Sequence, residues 1–229
     1  MPKKLLLENG APIAADKRLI NDGVEELIWL AALKPTTIGV PTFRDDLREY
    51  LEIAVLRLRL RPGANASRLT ELIHRSIPYP VLLIQSDVDS VLLSLAHLRW
   101  SQGQSGQTVL DGSVITARLD GKTPSIDSFL VWFNVTKQPR QNLYALYQGW
   151  IERFEALAAA RVTGSYVLAL DADAAARRRA ALAEHEHLAR EIASLRARAN
   201  KESQLSRRVE LNMQLKLLES RIIEATTHI

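Results

Sequence analysis

The sequence predicts an α+β domain with a mainly antiparallel sheet and flanking helices, followed by a long C-terminal coiled-coil helix or helical hairpin. Three observations carry this. Residues 53–60 alternate, with Leu56, Leu58 and Leu60 set against Arg57 and Arg59, the period-two pattern of a strand with one solvated side. Leu143, Leu146, Tyr147, Trp150, Ile151, Phe154 and Leu157 recur at helical spacing. Residues 172–225 contain no Gly, no Pro and no Phe, Trp or Tyr, and are dense in Ala, Leu, Glu and Arg, the composition of long helix.

The elements follow in order. Ala14 to Ile20 reads as a short helix, and Asn21-Asp22-Gly23 predicts a left-handed terminus for it. Val24 to Leu33 places Leu27, Trp29, Ala31 and Leu33 on one side of a strand, with a helix as the competing reading because Ala and Leu abound. Lys34-Pro35 ends it. Residues 49–60 form the clearest strand, closed by Pro62-Gly63. Ser67 is the expected N-cap of a helix carrying Leu69, Leu72, Ile73 and Ile77 on one face. Pro78 and Pro80 cannot continue that helix, so the chain turns rigidly with Tyr79 at the junction.

Strands at about 80–86 and 90–98 follow, joined by the polar turn Ser86-Asp87-Val88-Asp89. A loop of Ser, Gln and Gly spans 101–107, and a further strand is expected near 113–119. Helices are predicted over 125–133 and 142–160, completing a domain of residues 1–165. In the remaining 171–229, Leu188, Ile192, Leu195 and Ala199 step by 4, 3 and 4, and Leu211, Leu215, Leu218 and Ile222 repeat those steps. The two stripes are out of register with a strict heptad, and Lys201-Glu202-Ser203-Gln204 lies between them. With no Gly or Pro to supply a turn, an interrupted long helix is favoured over a hairpin, and its stripe calls for a partner helix. Assembly is thereby expected through Leu188, Ile192, Leu195, Leu211, Leu215, Leu218 and Ile222, as a homo-oligomer or with another subunit.

Composition narrows the function classes. Apolar residues make up 47% and charged residues 24%, ordinary for a globular protein, and no apolar run approaches the roughly 18 residues of a membrane span. The absence of cysteine excludes disulfides, thiolate catalysis and Cys-based zinc sites, and a cytoplasmic setting is expected. The net charge of +4, from 30 basic and 26 acidic residues, permits a nucleic-acid contact without requiring one. There is no phosphate loop, dinucleotide fingerprint or nucleophile elbow, so no cofactor is expected.

Taken together, Ala14 to Leu19, Trp29 with Leu33-Lys34-Pro35-Thr36-Thr37-Ile38, His74 to Pro80, Ser94-Leu95-Ala96-His97, the helix from Tyr144 to Ala159 and Val209-Glu210-Leu211-Asn212 carry a resemblance. The chain resembles a bacterial family labelled as a domain of unknown function. Members of that family tend to be encoded beside DNA methyltransferases and Swi/Snf-type or restriction-type helicases in antiviral defence clusters. The resemblance implies an accessory protein of a restriction-like system, with a methyltransferase or helicase as partner. It brings no catalytic residues with it.

Four groups of residues are candidates for function. His74, Arg75 and Tyr79 before one strand, and His97 and Arg99 at the end of the next, would lie near one sheet edge if those strands pair as a hairpin. The two histidines match no metal spacing, and a structural role is the simpler expectation for each. Asp46, Glu49 and Glu52, with Asp45, form an acidic cluster that a restriction-type nuclease could use for magnesium. The lysine expected two residues after Glu52 is missing, because Ile53-Ala54 stand there. Arg57, Arg59 and Arg61, with Arg177, Arg178 and Arg179, could contact phosphate. His185 and His187, two residues apart on a helix, point to different faces and make a poor metal pair. A non-catalytic adaptor of a defence complex is therefore the leading expectation, and a divergent metal-dependent nuclease the alternative.

Overall fold

The computed structural model describes residues 6, 13–86, 90–103, 106–121 and 125–229, so Asp87 to Asp89 of the expected turn and Gln104-Ser105 of the expected loop lie outside the described residues. The fold is α+β. Its elements are α1 (Ala14–Gly23), β1 (Val24–Leu33), β2 (Phe43–Arg44), β3 (Glu49–Tyr50), β4 (Ile53–Leu60), α2 (Ala66–Ser76), β5 (Val81–Ser86), β6 (Ser90–Trp100) and β7 (Thr108–Asp120). There follow α3 (Ile126–Phe133), α4 (Leu143–Thr163), α5 (Ala172–Lys201) and α6 (Leu205–Thr226). Two compact units divide the chain, residues 1–154 and 155–229, and the boundary falls inside α4.

In the first unit five strands run in the order β1-β4-β5-β6-β7. All neighbours are antiparallel except β4 and β5, which are parallel and joined through α2. A βαβ connection of this kind needs a helix to carry the chain back, and the amphipathic Leu69, Leu72, Ile73 and Ile77 stripe supplies it. That stripe packs with Ile20 of α1 on Ala54, Leu56, Leu58, Val81 and Leu83, the core of one sheet face. Tyr50, Leu82, Leu95, Leu143, Leu146 and Tyr147 are buried toward the other face.

Several local expectations are corrected. The helix α1 does not end in a left-handed residue: Gly23 is helical and Val24 follows at φ −81°. Gly23 is needed for space, since a Cβ there would lie 2.6 Å from Leu69 Cδ1. The N-cap of α2 is Asn65, not Ser67; its side chain accepts the Arg68 amide at 3.1 Å. The strand expected over 49–60 splits, because Glu49–Tyr50 pairs with Phe43–Arg44 in a separate two-stranded ribbon before β4 begins at Ile53. β7 starts five residues ahead of expectation, at Thr108, and carries a bulge: Gly112, Ser113 and Val114 stand opposite the single residue Ala96. Gly112 takes φ +91° there, which glycine adopts without strain.

The aromatic residues Phe129, Phe133, Trp150 and Phe154 join α3 to the start of α4, and Trp150 Nε1 donates to Phe133 O at 2.9 Å. Gly149 faces this packing. A Cβ there would stand 2.7 Å from Pro139 Cδ and 2.8 Å from Gln138 Oε1, and the Gln138 amide is itself tied to Trp132 O and Asn134 O. Alanine in a helix interior normally gains about 1 kcal/mol over glycine. At this site overpacking reverses the sign, and Gly149→Ala is expected to lose about 1–3 kcal/mol. Thermal melting checks it; a higher melting temperature would sink the packing argument.

The second unit contains a helical hairpin, which replaces the interrupted long helix favoured from sequence. α5 ends at Lys201, α6 begins at Leu205, and Leu188, Ile192, Leu195 and Ala199 close against Leu211, Leu215, Leu218, Ile222 and Ala225. The physical reason lies in the register. Twelve residues separate Ala199 from Leu211, which in one continuous helix would turn the second stripe about 120° away from the first. Folding back lets both stripes meet, and Arg196–Glu219 (2.6 Å) and Arg221–Glu184 (2.8 Å) flank the contact. A break of three non-helical residues suffices without Gly or Pro, with Glu202 at ψ 121° and Gln204 at ψ 117°. Among the described residues no helix is long and apolar enough to cross a membrane.

Candidate functional site

A dense polar and aromatic cluster sits where the β2–β3 ribbon and α4 meet the ends of β6 and β7. Tyr50 comes from β3, His97 from β6, Asp111 from β7, and Tyr144, Tyr147 and Gln148 from α4, at the i, i+3, i+4 spacing that puts them on one helix face. The Tyr50 hydroxyl meets His97 Nδ1 at 2.5 Å, and His97 Nε2 meets Gln148 Oε1 at 2.9 Å. Gln148 Nε2 in turn reaches Glu152 Oε1 at 3.4 Å.

These bonds fix the proton positions. Burial raises the Tyr50 phenol well above its usual range, so it remains a donor. Burial lowers the His97 imidazole, partly offset by its bond to Gln148. A neutral ring that accepts at Nδ1 must carry its proton at Nε2, which then donates to Gln148 Oε1. The donors therefore all run one way, from Tyr50 through His97 and Gln148 toward Glu152. Both ring nitrogens are engaged, so His97 orders the cluster and has no lone pair left for a substrate.

Around this chain, Phe43 stacks on Tyr144 with centroids 4.9 Å apart, and Tyr144 meets Tyr50 edge-on at 5.3 Å. Arg48 lies over the Tyr144 ring at 5.4 Å and grips Asp111 through Nε (3.1 Å) and Nη2. Arg99 Nε approaches the same carboxylate at 3.8 Å. The Trp100 amide donates to Leu47 O and the Leu143 amide to Pro41 O, both at 2.8 Å, which ties the ribbon to β6 and α4. The arrangement is a clamp on the ribbon.

The residues expected near one sheet edge are not brought together. β5 and β6 do pair as a hairpin, but His74 and His97 serve opposite faces. His74 is buried on α2, where Nε2 meets Ser94 Oγ at 2.9 Å, and Ser94 pairs with Leu83 of the α1–α2 core. His97, three residues along a strand, faces the other way, toward α4. Arg75 is half exposed and pairs with Glu71 at 2.7 Å, while Arg99 is held by Asp111 and its neighbour's carbonyl. Tyr79 packs on the α1–α2 core. Tyr79→Ala is expected to lose about 2–4 kcal/mol, read by urea titration; unchanged stability would reassign the ring to the surface.

The other candidates fall apart similarly. Asp46 is exposed, Glu49 pairs with Arg44 at 3.2 Å, and Asp45 accepts the Leu47 and Arg48 amides in its own turn. Among the described residues no three His, Asp or Glu side chains gather so as to hold a metal ion. Arg57 and Arg59 pair with Glu26 and Glu25 on the adjacent strand, and Arg61 Nη1 donates to Asn21 O and Asp22 O at the end of α1. Arg178 donates to Val167 O and Ile229 O, Arg179 pairs with Glu155, and Arg177 is exposed.

Sequence reasoning missed Arg48 and Asp111, which stand 63 residues apart and carry no local signal. It also missed a second apolar face on α6. Leu205, Val209, Met213, Leu217 and Ile223 are half to two-thirds exposed, on the side opposite the stripe that closes the hairpin. The four-residue spacing of the first four was the available signal. No curated protein and no solved structure matches the chain. A family model described as a domain of unknown function, DUF4391, matches residues 1–222, nearly the whole length, and the chain belongs to that family.

Proposed function

We propose that this protein is a non-catalytic accessory subunit of a bacterial restriction-like antiviral complex, and that the C-terminal hairpin is its assembly element. The setting, with a methyltransferase or helicase as neighbour, comes from the family resemblance. The observation that carries the assembly role is α6 itself, which has two opposed apolar faces of which the hairpin buries one. A monomer seldom leaves such a face in water. The sheet offers a poorer surface. Both edge strands are bulged, β1 at Glu25 and Leu30 and β7 at Gly112 to Val114, which blunts pairing with an added strand.

The clamp supports the non-catalytic part, since its histidine is committed on both sides. Nucleic-acid recognition is assigned to the partner subunit, because five of the six candidate arginines are engaged within the protein. Expression with the neighbouring genes and identification of co-purifying chains by mass tests the reading. The full chain is expected to bring its neighbours, and residues 1–165 alone to stay folded by circular dichroism and bring none. Retention of the neighbours by the truncated chain would refute it. So would magnesium-dependent plasmid cleavage that is lost in Glu49→Ala and Glu52→Ala.

A further inference from the structure

We infer that the outward face of α6 pairs with the same face of a second copy of this chain, antiparallel, about a two-fold axis near Met213 and Leu217. The inference rests on the assembly role proposed for the hairpin and names what covers the face. The relative exposures are 65% for Leu205, 51% for Val209, 67% for Met213, 65% for Leu217 and 67% for Ile223. Such exposure leaves on the order of 500 Å² of apolar surface per copy, at the top of what monomers carry in one patch. Two copies closing this face remove roughly 1,000 Å² before any polar rim is counted, which reaches the lower bound of a specific interface.

Self-complementarity sets the direction. A two-fold pair of antiparallel helices centred near residue 215 places Met213 against Leu217 of the second copy, and Leu205 against Ile223. The same register sets Glu224, which lies on this face, alongside Ser206 of the second copy and away from its own counterpart. Parallel pairing would set Lys216 against Lys216 and Glu224 against Glu224. Like charges at matching heights disfavour that arrangement. The hairpin contact stays intact in the pair, because Leu215 and Leu218, which close on Leu188, Ile192 and Leu195 of α5, lie on the side of α6 opposite the proposed seam. Two hairpins joined this way form a four-helix assembly with α6 inside.

Sedimentation of the full chain over a concentration series tests the pairing, with Met213→Glu and Leu217→Glu as variants. The wild type is expected to reach about twice its 25.6 kDa, and each variant to sediment near that mass with unchanged helicity, its dimer dissociation constant raised at least about tenfold. Direction is read by disulfide trapping, which the cysteine-free sequence makes clean. Leu205→Cys mixed with Ile223→Cys should yield the mixed dimer, whereas Leu205→Cys oxidised alone should stay uncrosslinked. Self-crosslinking of Leu205→Cys would overturn the antiparallel register. A wild type that is monomeric throughout, while Met213→Glu still loses its operon neighbours, would overturn the second copy and leave the assembly role standing. A monomeric wild type whose Met213→Glu variant retains those neighbours would overturn both.

Discussion

Tyr147→Phe is expected to lose about 2–4 kcal/mol, far more than the loss of one hydroxyl at a typical site. The reason is where that hydroxyl sits. β5 and β6 are paired from Ser86–Val91 to Leu83–Ser94, and the same register would next join Val81 to Ala96. The ladder stops short of that pair, and the Tyr147 hydroxyl stands in for it, accepting the Ala96 amide at 2.8 Å and donating to Val81 O at 2.7 Å. Tyr147 is fully buried, and burial raises its phenol well above the usual range, so the proton needed for donation stays in place. Phenylalanine keeps the ring's packing and leaves one N–H and one C=O unpartnered in a dry core. Each orphan costs about 1–3 kcal/mol, since neither recovers its bond to water. Urea titration at neutral pH measures the loss, and hydrogen exchange at Ala96 should quicken in parallel. A loss below about 0.5 kcal/mol would show that the strands close the gap themselves, and the surrogate role would be wrong.

Tyr147 also marks how far the sequence could be read. Its place on the Leu143–Leu157 stripe identifies it as core, which it is, because burial follows from a helical period that is local. That its oxygen completes a sheet ladder depends on Val81 and Ala96, which no period links to it. The same division runs through the chain. Strand and helix order came from alternation in 53–60 and from the prolines at 78 and 80, both local signals. The split at Leu51-Glu52 was invisible because it is imposed by Arg48–Asp111, Tyr50–His97 and Phe43–Tyr144, contacts made across the fold. The hairpin was half legible. Both stripes and their phase offset are local signals, whereas the absence of Gly and Pro points the other way, toward an unbroken helix. Burying both stripes outweighs the small cost of three non-helical residues. The outward face of α6 escaped notice because Leu211, Leu215 and Leu218 already accounted for the helix as amphipathic. A helix apolar on two opposite sides has a weak overall asymmetry, and only the separate four-residue steps from Leu205 to Leu217 reveal it.

Acid is expected to unfold the first unit through His74. Burial among apolar neighbours pushes its imidazole down to about 3, and its one described polar partner is the neutral Ser94 hydroxyl, which carries no charge to stabilise a cation. In the unfolded chain the same ring titrates near 6.5. Above that value neither state binds the proton and the full stability is present. As the pH falls below about 6.5 the unfolded state takes up a proton that the native state refuses. Stability then drops by roughly 1.4 kcal/mol per pH unit until the native ring titrates near 3. Over that window the loss is on the order of 4–5 kcal/mol, comparable to the whole stability of many domains. His97 adds to the slope in the same direction, because it too is held neutral by burial, with Arg48 nearby lowering it further and Asp111 opposing. Its protonation would also place a second donor at Nδ1 against the Tyr50 hydroxyl and loosen the ribbon clamp. His74→Gln carries no titrating ring. Its stability should fall between pH 6.5 and 4.5 less steeply than the wild type's, by about 1.4 kcal/mol per unit, even if its stability at pH 7 is lower. Urea titrations at half-unit intervals supply both slopes. Parallel slopes for the two proteins would mean that His74 is already charged, or solvated, in the native state, and the buried neutral histidine would have to be given up.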